Sequence, residues 1–186
     1  MFLTVTLNAA LDVTYQVPGV DWEGVNRVRS VHRRAGGKGV NVARVLRGLG
    51  QDVLVTGLAG GPTGKAIEAD LEASGLPGAL VRVAAESRTT LAISSGSAGD
   101  GGATLFNEPG PEIAEAELRE FMGTYEALLA RADAVVISGS LPPGVPPDTY
   151  ATLAAVAAEH RVPAIVDADG EPLLRAPAGR PAIVKP

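Results

Sequence analysis

A glycine-rich segment, RRAGGKGVNVARVLRGLG at residues 33–50, has the residue types of a ligand-binding loop. Three glycines surround one lysine, in the order Gly36, Gly37, Lys38 and Gly39. Because glycine has no side chain, a ligand beside such a loop can approach the backbone closely and meet its N–H groups. The segment therefore suggests a site for phosphate or sugar, and the alternative is an ordinary turn with Lys38 in solvent.

The residues after this loop predict a helix whose first turn faces the same place. Apolar residues recur at three- and four-residue steps, at Val42, Val45, Leu46 and Leu49, and Gly50 provides a stop. The first turn of a helix has unpaired N–H donors and the positive end of the helix dipole. Asn41 lies in that turn, and its amide offers both a donor and an acceptor. The helix start therefore suits a sugar hydroxyl or an anion.

Two familiar phosphate-binding loops do not match this chain. The dinucleotide-binding fingerprint needs a small residue three positions after its second glycine, where Val42 stands. A P-loop needs GxxxxGK followed by Ser or Thr, but Gly39 follows Lys38. In the segment AGGPTGKA, Ala59 and Ala66 occupy the required positions. Neither nucleotide loop is predicted.

Three further polar groups are expected at strand ends or at the edge of a small sheet. TLNAALD places Asn8 and Asp12 after the first strand, and SGSLPPG places Ser138 at the end of another. ESRTTL puts Arg88 at the head of a strand, where its guanidinium can fork onto a phosphate. Singly, each has an ordinary explanation: a capping aspartate, a serine turn, a surface arginine. Open α/β sheets bind ligands at their carboxyl strand ends, so together these groups favour a site there.

Composition argues against several classes of function. A net charge of −5 argues against nucleic-acid binding, and the lack of cysteine rules out disulfides and thiolate metal sites. His32 and His160 lie far apart, so no histidine metal cluster is expected. The N-terminus MFLTVTLNAALD lacks a basic leader, and no apolar run reaches the roughly 20 residues of a membrane span. We therefore expect a cytoplasmic protein without a nucleic-acid or membrane partner and without metal ligands.

Alternating strands and helices predict a parallel sheet that is covered on both faces. The predicted strands are at residues 2–7, 52–60, 134–138, 163–168 and 181–185. The predicted helices are at residues 40–50, 63–74, 114–130 and 148–160. With 186 residues, 46% of them hydrophobic, the chain can bury the core of one domain.

Two segments, at about residues 13–31 and 80–107, interrupt this alternation. Both alternate apolar and polar residues like half-exposed strands, the second around the tip SGSAGDGG. Four such strands predict a small sheet that stands off the main body. Because its second face needs a cover, we expect it to act as a lid and to form a homodimer.

The order of the motifs resembles that of the PfkB branch of the ribokinase-like sugar kinases. The shared motifs run from Thr6 to Pro186: TLNAALD, EGVNR, AGGKGVNVARVL, SRTT, FNEPGPEI, SGSLPPGVP and VKP. The resemblance implies a ribokinase-like α/β fold, with a doubly wound, mainly parallel sheet, helices on both faces and a small β-sheet lid. It also implies transfer of the γ-phosphoryl group of ATP, with Mg²⁺, to a sugar phosphate. Bacterial 1-phosphofructokinases look most similar, which favours fructose 1-phosphate, while tagatose 6-phosphate and fructose 6-phosphate stay open.

The resemblance also implies roles for the sugar-binding residues. Asp12 would hold sugar hydroxyls and orient the acceptor. Gly36, Gly37 and Asn41 would bind the sugar through backbone and amide groups. Lys38 would add positive charge nearby.

For the phosphate and the nucleotide, the resemblance implies three more residues. Arg88 would clamp the phosphate already on the substrate, and Ser138 would assist it. Lys185, in the VKP motif, would contribute to the ATP site. The lid would exclude water, which otherwise competes as the phosphoryl acceptor.

The sequence departs from the family in one major respect. The G-A-G-D loop that supplies the anion hole and the catalytic aspartate of the family is not found in the 186 residues. The similar letters SAGDGG, at residues 97–102, fall in the predicted lid and are not followed by a helix. We therefore expect the N-terminal part of a kinase, with its ATP-binding part beyond Pro186, and inactive alone. The alternative is a truncated, non-catalytic protein that binds sugar phosphates.

Two smaller departures bear on the choice of sugar phosphate. Thr90 stands where many relatives carry asparagine. DADG, at residues 167–170, replaces a more usual Asp-Thr/Ser-Ser-Gly.

Overall fold

The computed structural model describes residues 1–95 and 102–186, so the predicted SAGDGG tip lies outside the described residues except for Gly102. Over the described ranges the chain forms one six-stranded and one four-stranded sheet. None of the helices within them is long and apolar enough to cross a membrane. In chain order, the elements are β1 (Phe2–Thr6), β2 (Ala10–Val17), β3 (Ser30–Gly36), α1 (Lys38–Gly48), β4 (Val53–Gly60), α2 (Gly61–Ala73), β5 (Gly78–Val83), β6 (Arg88–Ser95), β7 (Ala103–Asn107), α3 (Glu115–Leu129), β8 (Ala134–Ser138), α4 (Thr149–Glu159), β9 (Ala164–Asp167), α5 (Gly170–Arg175), a 3₁₀ turn (Ala176–Gly179) and β10 (Ile183–Lys185).

The large sheet is parallel, with the strand order β10-β9-β8-β1-β4-β5. From β1 the chain builds outward through β4 to β5, and it then returns to build outward from β8 to β10. The strand order therefore reverses between β1 and β8. Such a reversal opens a crevice at the carboxyl ends of the two strands.

Helices cover both faces of the large sheet, which confirms the predicted doubly wound α/β fold. The inner strands β1, β4 and β8 are largely buried and mostly apolar, whereas the edge strand β10 is exposed. On one face, α1 and α2 pack on β4; buried side chains there are Val40, Ala43, Val53, Val55, Ile67 and Leu71. On the other face, α3 and α4 are part of a core that includes Leu3, Val5, Phe121, Tyr125, Ile137, Tyr150 and Leu153.

The small sheet has the order β3-β2-β6-β7, in which β2 and β6 are parallel and the outer pairs are antiparallel. Its existence confirms the predicted second sheet, but the predicted boundaries need correction. Residues 80–83 belong to β5, because they pair with β4 in the large sheet. The first inserted segment runs from Ala10 to Gly36 rather than from Val13 to Val31, since β3 pairs with residues 10–16 of β2.

Candidate functional site

A cleft of about 660 Å³ opens between the two sheets, beside the carboxyl ends of β1 and β8. This is the point at which the strand order of the large sheet reverses, where open α/β sheets place their ligands. Polar and charged side chains form most of the wall. The residues lining the cleft are Thr6, Asn8, Asp12, Thr14, Arg34, Gly37, Lys38, Asn41, Arg88, Thr90, Ala92, Leu105, Asn107, Glu108, Pro109, Gly139, Ser140, Leu141 and Asp169.

Most of the sugar-binding residues predicted from the sequence meet in this cleft. Asp12, Gly37, Lys38, Asn41 and Arg88 all line it, although they come from β2, the start of α1 and β6. The strands and the helix that carry them are separated in sequence, so only the fold brings them together. The predicted roles of these residues remain predictions.

One row of polar side chains crosses the roof of the cleft on the small sheet. The register pairs Asp12 with Arg34 on one neighbouring strand and with Thr90 on the other, and Thr90 with Asn107. Paired residues in neighbouring strands share a face of the sheet. All four therefore face the large sheet, where a ligand would lie between the two sheets.

Gly36 does not line the cleft but determines where the Asp12 carboxylate can lie. A Cβ atom built on Gly36 would be 2.1 Å from Cγ and 2.2 Å from both carboxylate oxygens of Asp12. No real side chain tolerates such distances, so glycine is required at this position for Asp12 to keep its place. The predicted contribution of Gly36 thus acts through Asp12.

Asp12 is a half-buried carboxylate surrounded by cations. Burial raises its pKa above the ordinary value of 3.8, against the opposing charges of Arg34, Arg88 and Arg44 and a hydrogen bond from Thr90. The burial effect is the larger one. The carboxylate is therefore poised to gain from any ligand hydroxyl that donates a hydrogen bond to it.

Arg88 is held at the junction of the two sheets by main-chain oxygens. Its Nε donates to the carbonyl oxygen of Asn8 at 3.2 Å, and its Nη1 donates to that of Glu108 at 3.1 Å. Burial lowers the pKa of Arg88, and the negative charges of Asp12 and Glu108 oppose this shift. A guanidinium has five N–H donors, so donors beyond these two remain for an anionic ligand.

The start of α1 forms the opposite side of the cleft. Gly37 has φ +108°, a backbone conformation that favours glycine, and a Cβ there would be 2.6 Å from Cγ2 of Thr6. No side chain in the described part of the protein caps this helix. The helix begins at Lys38, two residues earlier than predicted, because the chain turns at Gly37. Its buried residues are Gly39, Val40 and Ala43, whereas the predicted apolar positions Val45 and Leu49 are exposed. Lys38 and Asn41, in its first turn, line the cleft.

Ser138 and Lys185 both bind Asp167 and do not line the cleft. The buried Ser138 hydroxyl donates to Asp167 Oδ2 at 2.8 Å, and Lys185 Nζ donates to Asp167 Oδ1 at 3.0 Å. Partial burial alone would raise the pKa of Asp167, but these two hydrogen bonds and the charge of Lys38 outweigh it, so the pKa is lowered. Ser140, rather than Ser138, lies on the cleft wall.

Sequence reasoning missed several lining residues. Arg34 precedes Gly36 by two positions on the same strand, and a period of two would have placed both on one face. Asn107 and Glu108 lie in the FNEPGPEI motif, which was used only as a sign of family. Asp169 lies in DADG, noted only as a departure from the family. None of these gave a signal on its own, because the cleft exists only after the sheets are stacked.

The described ranges contain no group of three His, Asp or Glu side chains that could hold a metal ion. Asp167 and Lys185 form an ion pair, in which the lysine already neutralises the carboxylate.

Comparison with known proteins decides the family. The model of the pfkB family of carbohydrate kinases matches residues 5–186. The chain belongs to this family. The cleft is therefore part of a carbohydrate kinase fold. Kinases of this family use ATP.

Solved structures of PfkB kinases superpose on the chain over its full length or nearly so. A protein from Thermotoga maritima described as a "possible 1-phosphofructokinase" is 32% identical, with TM-score 0.91. The match covers 100% of this chain and 59% of that protein. Phosphofructokinase-2 from Escherichia coli, in complex with fructose-6-phosphate, is 32% identical, with TM-score 0.88, 100% of this chain and 60% of that chain being covered. A tetrameric inhibited form of the same enzyme is 32% identical, with TM-score 0.83, and the coverage is 95% and 57%. The chain thus spans about 59% of the length of these kinases.

Proposed function

We propose that this PfkB chain binds the sugar phosphate for an ATP-dependent sugar-phosphate kinase, and that fructose 1-phosphate is the acceptor. The observation that carries the proposal is the pair of Asp12 and Arg88 on one face of the small sheet, above the crevice between β1 and β8. A carboxylate suits sugar hydroxyls and a guanidinium suits a phosphate, so this pair fits a phosphorylated sugar.

The preference for fructose 1-phosphate rests on the motifs EGVNR and AGGKGVNVARVL. Relatives of both substrate types match at the same identity of 32%, so identity does not separate fructose 1-phosphate from fructose 6-phosphate. Tagatose 6-phosphate is the third candidate. The experiment described below therefore compares all three.

In this proposal the residues of the cleft bind and orient the sugar phosphate. Asp12 accepts hydrogen bonds from sugar hydroxyls and directs the reacting hydroxyl. The open donors of Arg88 bind the phosphate of the substrate, and Asn41 and the first turn of α1 contact the sugar, with Lys38 adding charge. Phosphoryl transfer depends mainly on positioning and on neutralising charge, and these residues supply both for the acceptor.

The small sheet would act as the lid over this acceptor. Its polar row of Asp12, Arg34, Thr90 and Asn107 covers the cleft, so a bound sugar would be shielded from water on that side. Excluding water matters for a kinase because water competes with the sugar for the phosphoryl group.

ATP supplies the phosphoryl group, with Mg²⁺ neutralising the charge of its phosphates. We propose that Lys185, at the carboxyl end of β10, contributes to the nucleotide side of the site. The 186 residues contain no G-A-G-D segment, so we expect them to bind the sugar phosphate without turning it over. A non-catalytic sugar-phosphate-binding protein is the second candidate. Because ATP and sugar phosphates are held inside cells, the proposal implies a cytoplasmic protein.

We further propose that a second copy of the chain covers the outer face of the small sheet. The register places Val13, Leu91 and Phe106 side by side on the face opposite the polar row, where Val13 is already buried within the chain and Phe106, on the edge strand β7, is exposed. The Phe106 side chain is 46% exposed, and Trp22, in the loop between β2 and β3, is 67% exposed. Apolar side chains on an exposed sheet face favour association, and the relatives include a tetrameric phosphofructokinase-2.

The experiment is a calorimetric titration of the full chain with fructose 1-phosphate, fructose 6-phosphate, tagatose 6-phosphate and unphosphorylated fructose. We expect fructose 1-phosphate to bind most tightly and fructose most weakly. Arg88→Ala should weaken binding of the sugar phosphates by about ten- to a hundred-fold, as for a charged hydrogen bond worth about 1.5–3 kcal/mol. The control is Arg82→Ala, because Arg82 is an exposed arginine outside the cleft that pairs with Glu68.

Two results would contradict the proposal. Equal binding of fructose and of its phosphates would remove the role of Arg88. Binding of none of the four sugars would remove the function itself. Tighter binding of fructose 6-phosphate or tagatose 6-phosphate would keep the kinase family and change the substrate.

A further inference from the structure

Charged residues balance one another around the cleft. The described lining residues include three cations, Arg34, Lys38 and Arg88, and three carboxylates, Asp12, Glu108 and Asp169. A cleft for a doubly negative sugar phosphate would be expected to carry a positive excess. A carboxylate in the lining that has no structural role of its own is therefore a candidate for opposing such a ligand.

Two of these carboxylates have partners that explain them. Asp12 accepts a hydrogen bond from Thr90, and Glu108 Oε2 accepts one from the main-chain N–H of Thr89 at 2.8 Å. Both are part of the small sheet or of its junction with the large sheet. Removing either would disturb the structure of the cleft.

Asp169 differs from both. Its side chain is 83% exposed, and within the described part of the chain its one charged partner is Lys38, with Nζ 4.0 Å from Oδ2. It stands at the N-cap position of α5, where no capping hydrogen bond from its side chain is found among the described residues. No hydrogen bond of the described fold therefore requires the Asp169 carboxylate. Its negative charge instead acts on Lys38 and on any ligand in the cleft.

We propose that Asp169 is a specificity-determining residue that weakens the binding of phosphorylated sugars to this chain. It does so in two ways that act in the same direction. Asp169 attracts the Lys38 ammonium, so that Lys38 interacts less strongly with the ligand phosphate. The negative charge of Asp169 also repels that phosphate directly. The inference rests on the proposed function, since it concerns the same cleft and the same class of ligand.

The size of the effect follows from Coulomb's law. If the ligand phosphate is taken to lie about 7 Å from the Asp169 carboxylate in a water-like dielectric, removing that unit charge strengthens the binding of a dianion about five-fold at low salt. At an ionic strength of about 0.15 M, screening reduces this factor to about two-fold. Freeing Lys38 from its ion pair with Asp169 increases both the five-fold and the two-fold gain in affinity. The affinity for a neutral sugar should not change, because such a sugar carries no charge that either effect could act on.

The test compares Asp169→Asn with Asp148→Asn by NMR-detected titration of the full chain. Asn is as good an N-cap residue as Asp, so both variants should fold. Asp148 is the matched control for Asp169, because it is an exposed aspartate at the N-cap of α4. Its side chain also makes no capping hydrogen bond to the described residues, but it does not line the cleft. Fructose 1-phosphate and fructose are the ligands, each at 10 mM and at 150 mM salt.

We expect Asp169→Asn to bind fructose 1-phosphate about five-fold more tightly at low salt and about two-fold more tightly at high salt. Fructose binding should not change, and Asp148→Asn should match the wild type. Unchanged or weaker binding of fructose 1-phosphate by Asp169→Asn would overturn the inference while leaving the proposed function intact. An equal gain in Asp148→Asn would overturn it too, because net charge alone would then explain the effect. No binding to any variant would refute the proposed function and the inference with it.

Discussion

Replacing Gly36 with alanine is expected to displace the Asp12 carboxylate without unfolding the protein. The new Cβ would lie 2.1–2.2 Å from the three carboxyl atoms of Asp12, whereas ordinary contacts begin at about 3.4 Å. The carboxyl group must therefore move by more than 1 Å. It is the end of a flexible side chain, so the backbone of β2 and β3 can stay where it is.

The effect on binding can be worked out from this displacement. A hydrogen bond from a sugar hydroxyl to a charged carboxylate is worth about 1.5–3 kcal/mol, so its loss weakens binding by about ten- to a hundred-fold. Stability should change by less than about 1 kcal/mol, because Gly→Ala also reduces the entropy of the unfolded chain. Calorimetric titration with fructose 1-phosphate measures the first quantity, and thermal unfolding measures the second.

A double-mutant cycle makes the reasoning refutable. If Gly36 acts only through Asp12, Gly36→Ala in an Asp12→Ala background should cause no further loss of affinity. Gly48→Ala, at the end of α1, is the control, because a Cβ there would have no atom of the described chain within 4 Å apart from its chain neighbours and the backbone of its own helix. Wild-type affinity in Gly36→Ala would refute the role of Asp12 as a ligand. Losses that add in the double variant would refute the claim that Gly36 acts through Asp12.

Three further predictions concern charge and association. Because the pKa of Asp12 is raised above 3.8, sugar-phosphate binding should be lost as the pH falls through that raised pKa. Calorimetric titration at several pH values measures the midpoint of this loss of binding, and a midpoint at or below pH 3.8 would contradict the prediction. Because the pKa of Asp167 is lowered, its charge stabilises the fold above pH 3.8, and this contribution is lost as the pH falls through the lowered pKa. Asp167→Asn should therefore reduce the free energy of unfolding by about 1 kcal/mol at pH 7 and much less at pH 2.5, and equal effects at both would refute the linkage. Phe106→Asp should convert a dimer into a monomer in analytical ultracentrifugation, whereas a monomeric wild type would refute the proposed interface.

The large sheet could be predicted from sequence because its signals are local. Apolar runs such as AVVIS and FLTVT lie between helices with clear three- and four-residue spacing, and β8 matches its predicted bounds at residues 134–138. The small sheet was harder to predict. Its strands are half exposed, and whether Leu80 belongs to a lid or to the main sheet depends on its pairing with Gly57 across the chain.

The site could be predicted in part for the same reason. Asp12, Lys38 and Asn41 lie in short motifs whose residue types already suggest a ligand. Arg34 and Asp169 carry no such signal, because each enters the cleft only through the register of a strand or the position of a helix start. Distance along the chain also hides the bond between Ser138 and Asp167, which join two strand ends.

The central claim is that the cleft between the two sheets holds a phosphorylated sugar. The most direct test is a crystal structure of the full chain with fructose 1-phosphate. We expect the phosphate to lie on the Arg88 guanidinium and sugar hydroxyls to lie within hydrogen-bond distance of the Asp12 carboxylate. Fructose 1-phosphate bound elsewhere, such as in the pocket between α2 and β5 lined by Glu68, Leu76 and Arg82, would contradict it.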